Sequence, residues 1–363
     1  MRKRHVNHRQ SGGEWAMVII ATTLLGVVIT LGLGVYFLVR ATSEQPAVVP
    51  TAVAALPTPV DFRSDFNSAS LNNGQLVELV DGSKIILQPW DGESRFTILA
   101  MGLDRRPGEQ GIAFRTDTMM LLSIDPVNQS VGILSIPRDL YVAVPGYGQP
   151  QRVNSPMVLG EITQPGYGPK LAMQTVQYNF GIRVHDYLLV DFNAFIGLVD
   201  TIGGIDIELD YNISDPQYPD MNYGYDPFYL RAGNHHLDGL TALKFARTRH
   251  GSSDFERAVR QQQVLYAIRD RVLSLELLPQ LIVQAPNLLN ALQDNVYTDL
   301  TLDQMIRLAL YGKDIPAENI RTGVVNQSYS TPWMTEDGRA VLVPDRVRLG
   351  SLMVEVFGSD YSG

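Results

Sequence analysis

With 363 residues, 45% of them hydrophobic and 18% charged, the chain can bury a sizeable core. Its net charge of −9 is uneven: residues 1–40 carry Arg2, Lys3, Arg4, Arg9 and Arg40 against Glu14, which leaves −13 for the rest. An acidic body argues against nucleic acid as a partner, and the absence of cysteine excludes disulfides, zinc thiolates and a cysteine nucleophile.

Residues 1–14 form a basic segment, and 15–39 is a run of 25 residues without a charge. That run is long enough to cross a bilayer as a helix and longer than the apolar part of a signal peptide. The expectation is one N-terminal transmembrane helix, with the basic N-terminus in the cytoplasm and all later residues on the outer face of the cell membrane. Cleavage near Ala41 is the lesser alternative. Residues 40–60, with Pro46, Pro50, Pro57 and Pro59, read as a semi-extended linker. Residues 61–95 read as a small extension, with a hairpin expected around Asp81-Gly82.

From 96 to 275 apolar runs alternate with helical patterns. Short runs at Phe96–Met101, Thr118–Ile124 and Val131–Ile136 read as strands, followed by helical patterns at Lys170–Phe180 and Phe192–Thr201. Tyr187–Val190 and Ile205–Leu209 read as further strands. The implied class is α/β, a central mixed sheet with helices on both faces. Asn212–Tyr229 reads as a long surface loop whose aromatics could stack on sugars or, the preferred reading, simply pack, and His235-His236 as part of a loop. Helices are expected at Asp238–Arg247 and Asp254–Leu275. Residues 276–363 read as an extension packed on this core: helices at Leu281–Leu292 and Leu302–Tyr311, strands at Ile320–Val325 and Val341–Pro344, and a last helix to Phe357.

Acids and arginines collect where parallel-type strands end: Asp104 and Arg105 after the first, Arg115 and Asp117 before the second, Arg138 and Asp139 after the third. In open α/β sheets ligands sit at such strand ends. Arg115 and Asp117, two apart on an extended chain, are expected on one side. A second group lies at Arg247, Arg249, Arg257 and Arg260. Asp254, Arg257 and Gln261 share one helix face, which continues apolar through Leu265, Ile268, Val272 and Leu275. A face that turns inward at one end and is charged at the other needs a buried polar partner, and arginine forks suit phosphate. Acids with arginines are the pairing expected for a pyrophosphate with a divalent metal. No helical His pair beside a Glu, no Gly-x-Gly-x-x-Gly and no Gly-x-Ser-x-Gly is present; Ser135 reads as buried, not as a nucleophile.

The runs Ile98-Leu-Ala-Met-Gly-Leu-Asp-Arg-Arg106, Arg115-Thr-Asp117, Leu134-Ser-Ile-Pro-Arg-Asp139, Leu237-Asp-Gly-Leu-Thr-Ala-Leu-Lys-Phe-Ala-Arg-Thr-Arg249 and Asp254-Phe-Glu-Arg-Ala-Val-Arg-Gln-Gln262 resemble, in order and spacing, the LytR-CpsA-Psr family of envelope enzymes. The resemblance covers roughly residues 96–275. It implies a membrane-anchored phosphotransferase that moves a glycopolymer from a polyprenyl-pyrophosphate carrier to peptidoglycan. By position, Asp104 and Asp117 match the family's magnesium-binding acids. Arg115, Arg138, Arg247 and Arg249 match its pyrophosphate-contacting arginines, with Arg257 and Gln261 on the helix that completes the site. Arg105 stands where the family often has Ser, and Leu140 where Thr usually follows Arg-Asp.

For the reaction, Arg138, Asp139 and Asp117 are the candidate catalytic residues, either acid being able to take the acceptor's proton. Arg138–Asp139 is equally well read as a structural ion pair. Leu265, Ile268 and Val272 are candidate walls for the lipid tail, although any one of them taken singly reads more readily as plain core. A lipid-pyrophosphate hydrolase and a non-enzymatic envelope binding or regulatory module stand as alternatives.

Overall fold

In the computed structural model, which describes residues 94–105, 109–220, 224–249, 254–274, 292 and 294–362 together with strands at 76–78 and 84–86, the first pieces are an antiparallel pair, β1 (Leu76–Glu78) and β2 (Lys84–Ile86). The hairpin expected around Asp81-Gly82 is therefore borne out. There follow β3 (Phe96–Leu103), β4 (Thr116–Asp125), β5 (Ser130–Ser135), β6 (Tyr141–Val142), β7 (Gln151–Arg152), α1 (Pro156–Thr163) and α2 (Gly168–Phe180). Next come β8 (Asp186–Asp191), α3 (Phe192–Thr201), β9 (Ile205–Leu209), β10 (Ile213–Asp215), β11 (Phe228–Leu230) and β12 (Gly233–Leu237). The remainder is α4 (Gly239–Arg247), α5 (Asp254–Ser274), β13 (Val296–Tyr297), α6 (Leu302–Lys313), β14 (Ile320–Val324), β15 (Ser330–Met334), β16 (Ala340–Pro344) and α7 (Arg346–Phe357).

Six strands form the central sheet in the order β13-β8-β3-β4-β5-β14. The strands β3, β4 and β5 run antiparallel to one another, while β8 joins β3 and β14 joins β5 in parallel. Both faces are covered, so the strands read as near-continuous apolar runs. On one face Ile98, Leu122 and Ile133 pack with Leu198 of α3, Phe245 of α4 and Ile268 of α5. On the other, Leu99, Leu121 and Leu134 pack with Val176 of α2 and Met353 and Phe357 of α7. Gly132 is required here, because a Cβ would come within 2.4 Å of the Phe357 ring.

Several expectations change. Asn212–Tyr229 is not one open loop: its ends pair as β10 and β11, with Ile213 opposite Leu230. His235 and His236 lie in β12, paired with β9, and His236 Nδ1 sits 2.6 Å from Asp206 Oδ1. Residues beyond 275 supply both edges of the sheet, β13 and β14, so they complete the core instead of packing on it. The strands bearing the charged ends are antiparallel, not parallel-type. That is why the end of β3, the start of β4 and the end of β5 share one edge.

No helix among the described residues is long and apolar enough to cross a membrane. The span expected at 15–39, the segments around it, Leu275 and the helix expected at 281–292 (all but Leu292) lie outside the described residues.

Candidate active site

Strand geometry turns Asp117 inward. Gly102 pairs with Thr118 but Leu103 with Thr116, so Asp117 is an extra residue in a β-bulge. A bulge breaks the two-residue alternation, and the expected pairing of Arg115 with Asp117 is lost. Arg115 is exposed and not part of the cleft lining, although its carbonyl accepts from the Asp104 N–H at 3.2 Å. Asp117 lines the cleft and is grasped by Arg138 at 2.6 Å and by Arg249 at 3.2 Å. Burial alone would raise its carboxyl pKa, but the charges of Arg138, Arg249 and Arg257 outweigh this and hold it below the usual value.

The opposite wall is the C-terminal end of α4, on through Arg249, and the first turns of α5. The N-cap of α4 is Asp238, whose side chain accepts from Thr241 N at 2.8 Å. At the other end of α4, Arg260, 2% exposed, donates to the carbonyls of Phe245 at 3.2 Å and of Thr248. A cation on the carbonyl end of a helix is favourable, and burial strengthens it. Asp215 of β10 accepts from Thr248 Oγ1 at 2.6 Å and from Arg249 N at 3.3 Å. The backbone between Arg247 and Arg249 is thereby anchored to β10. The Arg247 guanidinium lies 3.9 Å from the Phe192 ring centre, donates to the Tyr218 hydroxyl at 3.2 Å and stands 3.7 Å from Asp104. Arg257, 5% exposed, donates to the Asp117 carbonyl at 3.2 Å. Burial and the neighbouring Arg249 and Arg138 push its pKa down to about 10, with Asp254 and Asp117 opposing.

These groups line a cleft of about 520 Å³ that holds Asp104, Asp117, Arg138, Arg247, Arg249 and Arg257 among its walls. Beneath it lies an apolar room of about 150 Å³, and the two share Gly102, Thr118, Phe192, Arg247 and Gln261. Leu265 and Ile268 line the room, together with Met120, Leu188, Phe195 and Val264. Val272 is a correction: it is fully buried in the core and is not part of the lining. A dry volume of this size takes about one benzene-sized group. Gln261 sits at the junction, its Nε2 2.9 Å from Thr118 Oγ1.

Asp139 is not part of the cleft lining. Its two oxygens stand 3.5 Å from Arg138 Nε and 3.1 Å from Arg152 Nε. Ser135 is buried and accepts from Gln262 Nε2 at 2.8 Å, as a structural serine would. Arg105 points away from the cleft. It is clamped by Asp191 at 2.5 Å, by the carbonyl of Asp294 at 2.6 Å and by the Tyr297 hydroxyl at 3.1 Å, and Asp191 is also the N-cap of α3. It thus ties the Asp104 loop to the helix that carries Phe192.

Four contributors were not apparent from sequence: Phe192, Tyr218, Asp215 and Asn154. Asn154 is 3% exposed and its Nδ2 reaches Asp117 Oδ1 at 3.4 Å. None of them stands in a charged cluster; the nearest hint is the Tyr-rich composition of the 212–229 segment. Among the described residues, no group of three or more His, Cys, Asp or Glu side chains could hold a metal by itself.

The scaffold is α/β/α, with an arginine-lined cleft over an apolar room at one end of its sheet. The LytR_cpsA_psr family matches residues 64–354, and the chain belongs to it. The polyisoprenyl-teichoic acid–peptidoglycan teichoic acid transferase TagU of Oceanobacillus iheyensis is 34% identical over 227 residues, 62% of this chain and 65% of that protein. The regulatory protein MsrR of Staphylococcus aureus is 32% identical over 215 residues, 58% of each chain. The chain thus spans less than two thirds of the curated relatives it matches. The crystal structure of B. subtilis TagV superposes with a TM-score of 0.59 at 24% identity, covering 75% of this chain and 99% of that one, a likeness of fold.

Proposed function

We propose that this protein is a membrane-anchored phosphotransferase that moves a glycopolymer from a polyprenyl-pyrophosphate carrier to peptidoglycan. The observation that carries the reading is the junction of the two cavities at Arg247 and Gln261: cations above for a pyrophosphate, apolar walls below for the first carbons of its lipid. The relative named a teichoic acid transferase supports the class of substrate.

In the reaction, a sugar hydroxyl of the acceptor attacks the sugar-bearing phosphorus. The bond from that phosphorus to the bridging oxygen breaks, and polyprenyl phosphate leaves with the electron pair. Arg138, Arg247, Arg249 and Arg257 neutralise the charge that shifts onto the leaving phosphate. The hydroxyl proton goes to Asp117, the lining carboxylate kept ionised by its arginines; Asp139 is held between Arg138 and Arg152. Two carboxylates in one cleft suit magnesium, which takes one or two protein acids and completes its shell with phosphate and water. Asp104 and Asp117 would hold it, and when bound it would add positive charge at the pyrophosphate.

The test is incubation of the full-length protein with a lipid-linked oligosaccharide, magnesium and peptidoglycan. Attached phospho-sugar together with released polyprenyl phosphate is the expected result. Free phospho-sugar without attachment would make the protein a hydrolase, and no turnover at all would make it a binding module.

A further inference from the structure

We propose that the aromatic surface of Tyr141 and Trp333, beside Arg138-Asp139, is a docking subsite for the sugar chain of the acceptor. The inference rests on the transferase reading, which requires a glycan to approach the cleft from outside. Trp333 is 49% exposed on β15, with Met334 at 59% and Val343 at 39% beside it. Its ring stands 5.9 Å from that of half-buried Tyr141. Exposed tryptophan is costly to leave in water, and clustered Trp, Tyr and Arg mark binding surfaces.

Position and chemistry identify the occupant. Tyr141 lies three residues beyond Arg138, about 10 Å of extended chain at most. The β15–β16 hairpin is fastened to the same stretch: Leu342 N donates to the Asp139 carbonyl at 2.9 Å, and Leu140 bridges to Leu342. Arg152 pairs with the Asp139 carboxylate at 3.1 Å and donates to the Ala340 carbonyl at 2.7 Å. Arg339 donates to Gln151 at 3.2 Å. The platform is therefore a rigid continuation of the cleft's Arg138 edge. A sugar ring offers an apolar C–H face and a rim of hydroxyls. Two aromatic faces tilted by 49°, with Arg152 paired opposite Tyr141, match both parts. An anionic membrane is a poorer match, since Glu336 and Asp337 are exposed on the same hairpin.

The probe is an uncrosslinked tetrasaccharide of alternating N-acetylglucosamine and N-acetylmuramic acid, titrated into the full-length protein in detergent micelles with the Trp333 indole N–H followed by NMR. The indole signal is expected to shift. Trp333→Ala is expected to weaken glycan binding about three- to tenfold and to raise KM for the glycan with kcat at saturation retained. Trp333→Phe should restore most of the loss, and it also serves if the alanine variant does not fold. An unmoved indole, with binding and KM unchanged in both variants, would overturn the subsite, as would a protein partner whose capture alone depends on Trp333. Glycan binding without transfer in the wild type would sink the transferase reading and leave the subsite standing.

Discussion

The two ends of the central sheet handle charge in opposite ways. At the end away from the cleft, Arg95 meets Asp125 at 2.6 Å, and Asp125 also accepts from Val127 N at 3.1 Å, Asn128 N at 3.2 Å and Asn128 Nδ2 at 2.7 Å. His185 is buried there with its pKa lowered to about 3, mainly by burial and also by Arg183, and its Nδ1 accepts from Thr97 N at 3.0 Å. Next to it the Asp186 carboxyl is pushed well up by burial. Charges at this end are therefore paired off or kept neutral. At the cleft end, burial first and then the charges of Arg249 and Arg138 pull Arg257 down to about 10, against Asp254 and Asp117. Like charges held together cost stability, and here Arg138 and Arg249 share the same two acids, Asp117 and Asp254, an arrangement that suits the anion proposed above.

The largest effect should come from breaking the cleft end. Arg138→Ala or Arg247→Ala is expected to lower transfer at least about 100-fold, while Tm stays near wild type for Arg247→Ala, whose acid partner Asp104 is 41% exposed. At the far end the pattern should invert. Asp125→Ala leaves Arg95, the Val127 and Asn128 N–H groups and the Asn128 amide short of a partner, and should cost about 3 kcal/mol of stability with kcat unchanged. Chemical denaturation of both variants, run beside the transfer assay, checks the inversion. Inorganic pyrophosphate at 100 times its Kd should stabilise the wild type by about 2.7 kcal/mol; Arg247→Ala should lose most of that in a thermal-shift titration.

The smallest effects concern pH and have opposite signs. His185 binds a proton less readily folded than unfolded. Its contribution is present above the ordinary value of 6.5 and lost as pH falls from there toward 3. His185→Asn, which keeps an acceptor for Thr97, should flatten stability over that window. Asp186 is displaced the other way: folding favours its protonated form, and that contribution is lost as pH rises above 3.8. Asp186→Asn should therefore stabilise the protein by about 1 kcal/mol at neutral pH and make no difference below 3.8. Denaturation midpoints measured across pH check both.

Periodicity and order of motifs made much of this protein legible. Strands with apolar side chains on both faces leave near-continuous hydrophobic runs, so β3, β4 and β5 are readable with boundaries off by a residue or two, while β9 is readable from its alternation of buried Ile205, Ile207 and Leu209 with exposed Asp206 and Glu208. Acids and arginines at strand ends are legible because nothing apolar competes for those positions. The stripe through Leu265 and Ile268 leads to the apolar room, since a helix repeats every 3.6 residues. What the tertiary structure alone decided depends on contacts between distant segments. The β-bulge that turns Asp117 inward and leaves Arg115 exposed arises from the pairing register of β3 with β4, which local alternation does not encode. The capture of Arg105 by Asp191 and Asp294, away from the cleft, joins residues 86 and 189 positions apart. Val272 is core and Leu265 cavity wall because α5 meets different neighbours along its length. Arg257 is buried against the Asp117 carbonyl and Arg260 against those of Phe245 and Thr248, a matter of packing that side-chain type and spacing leave open.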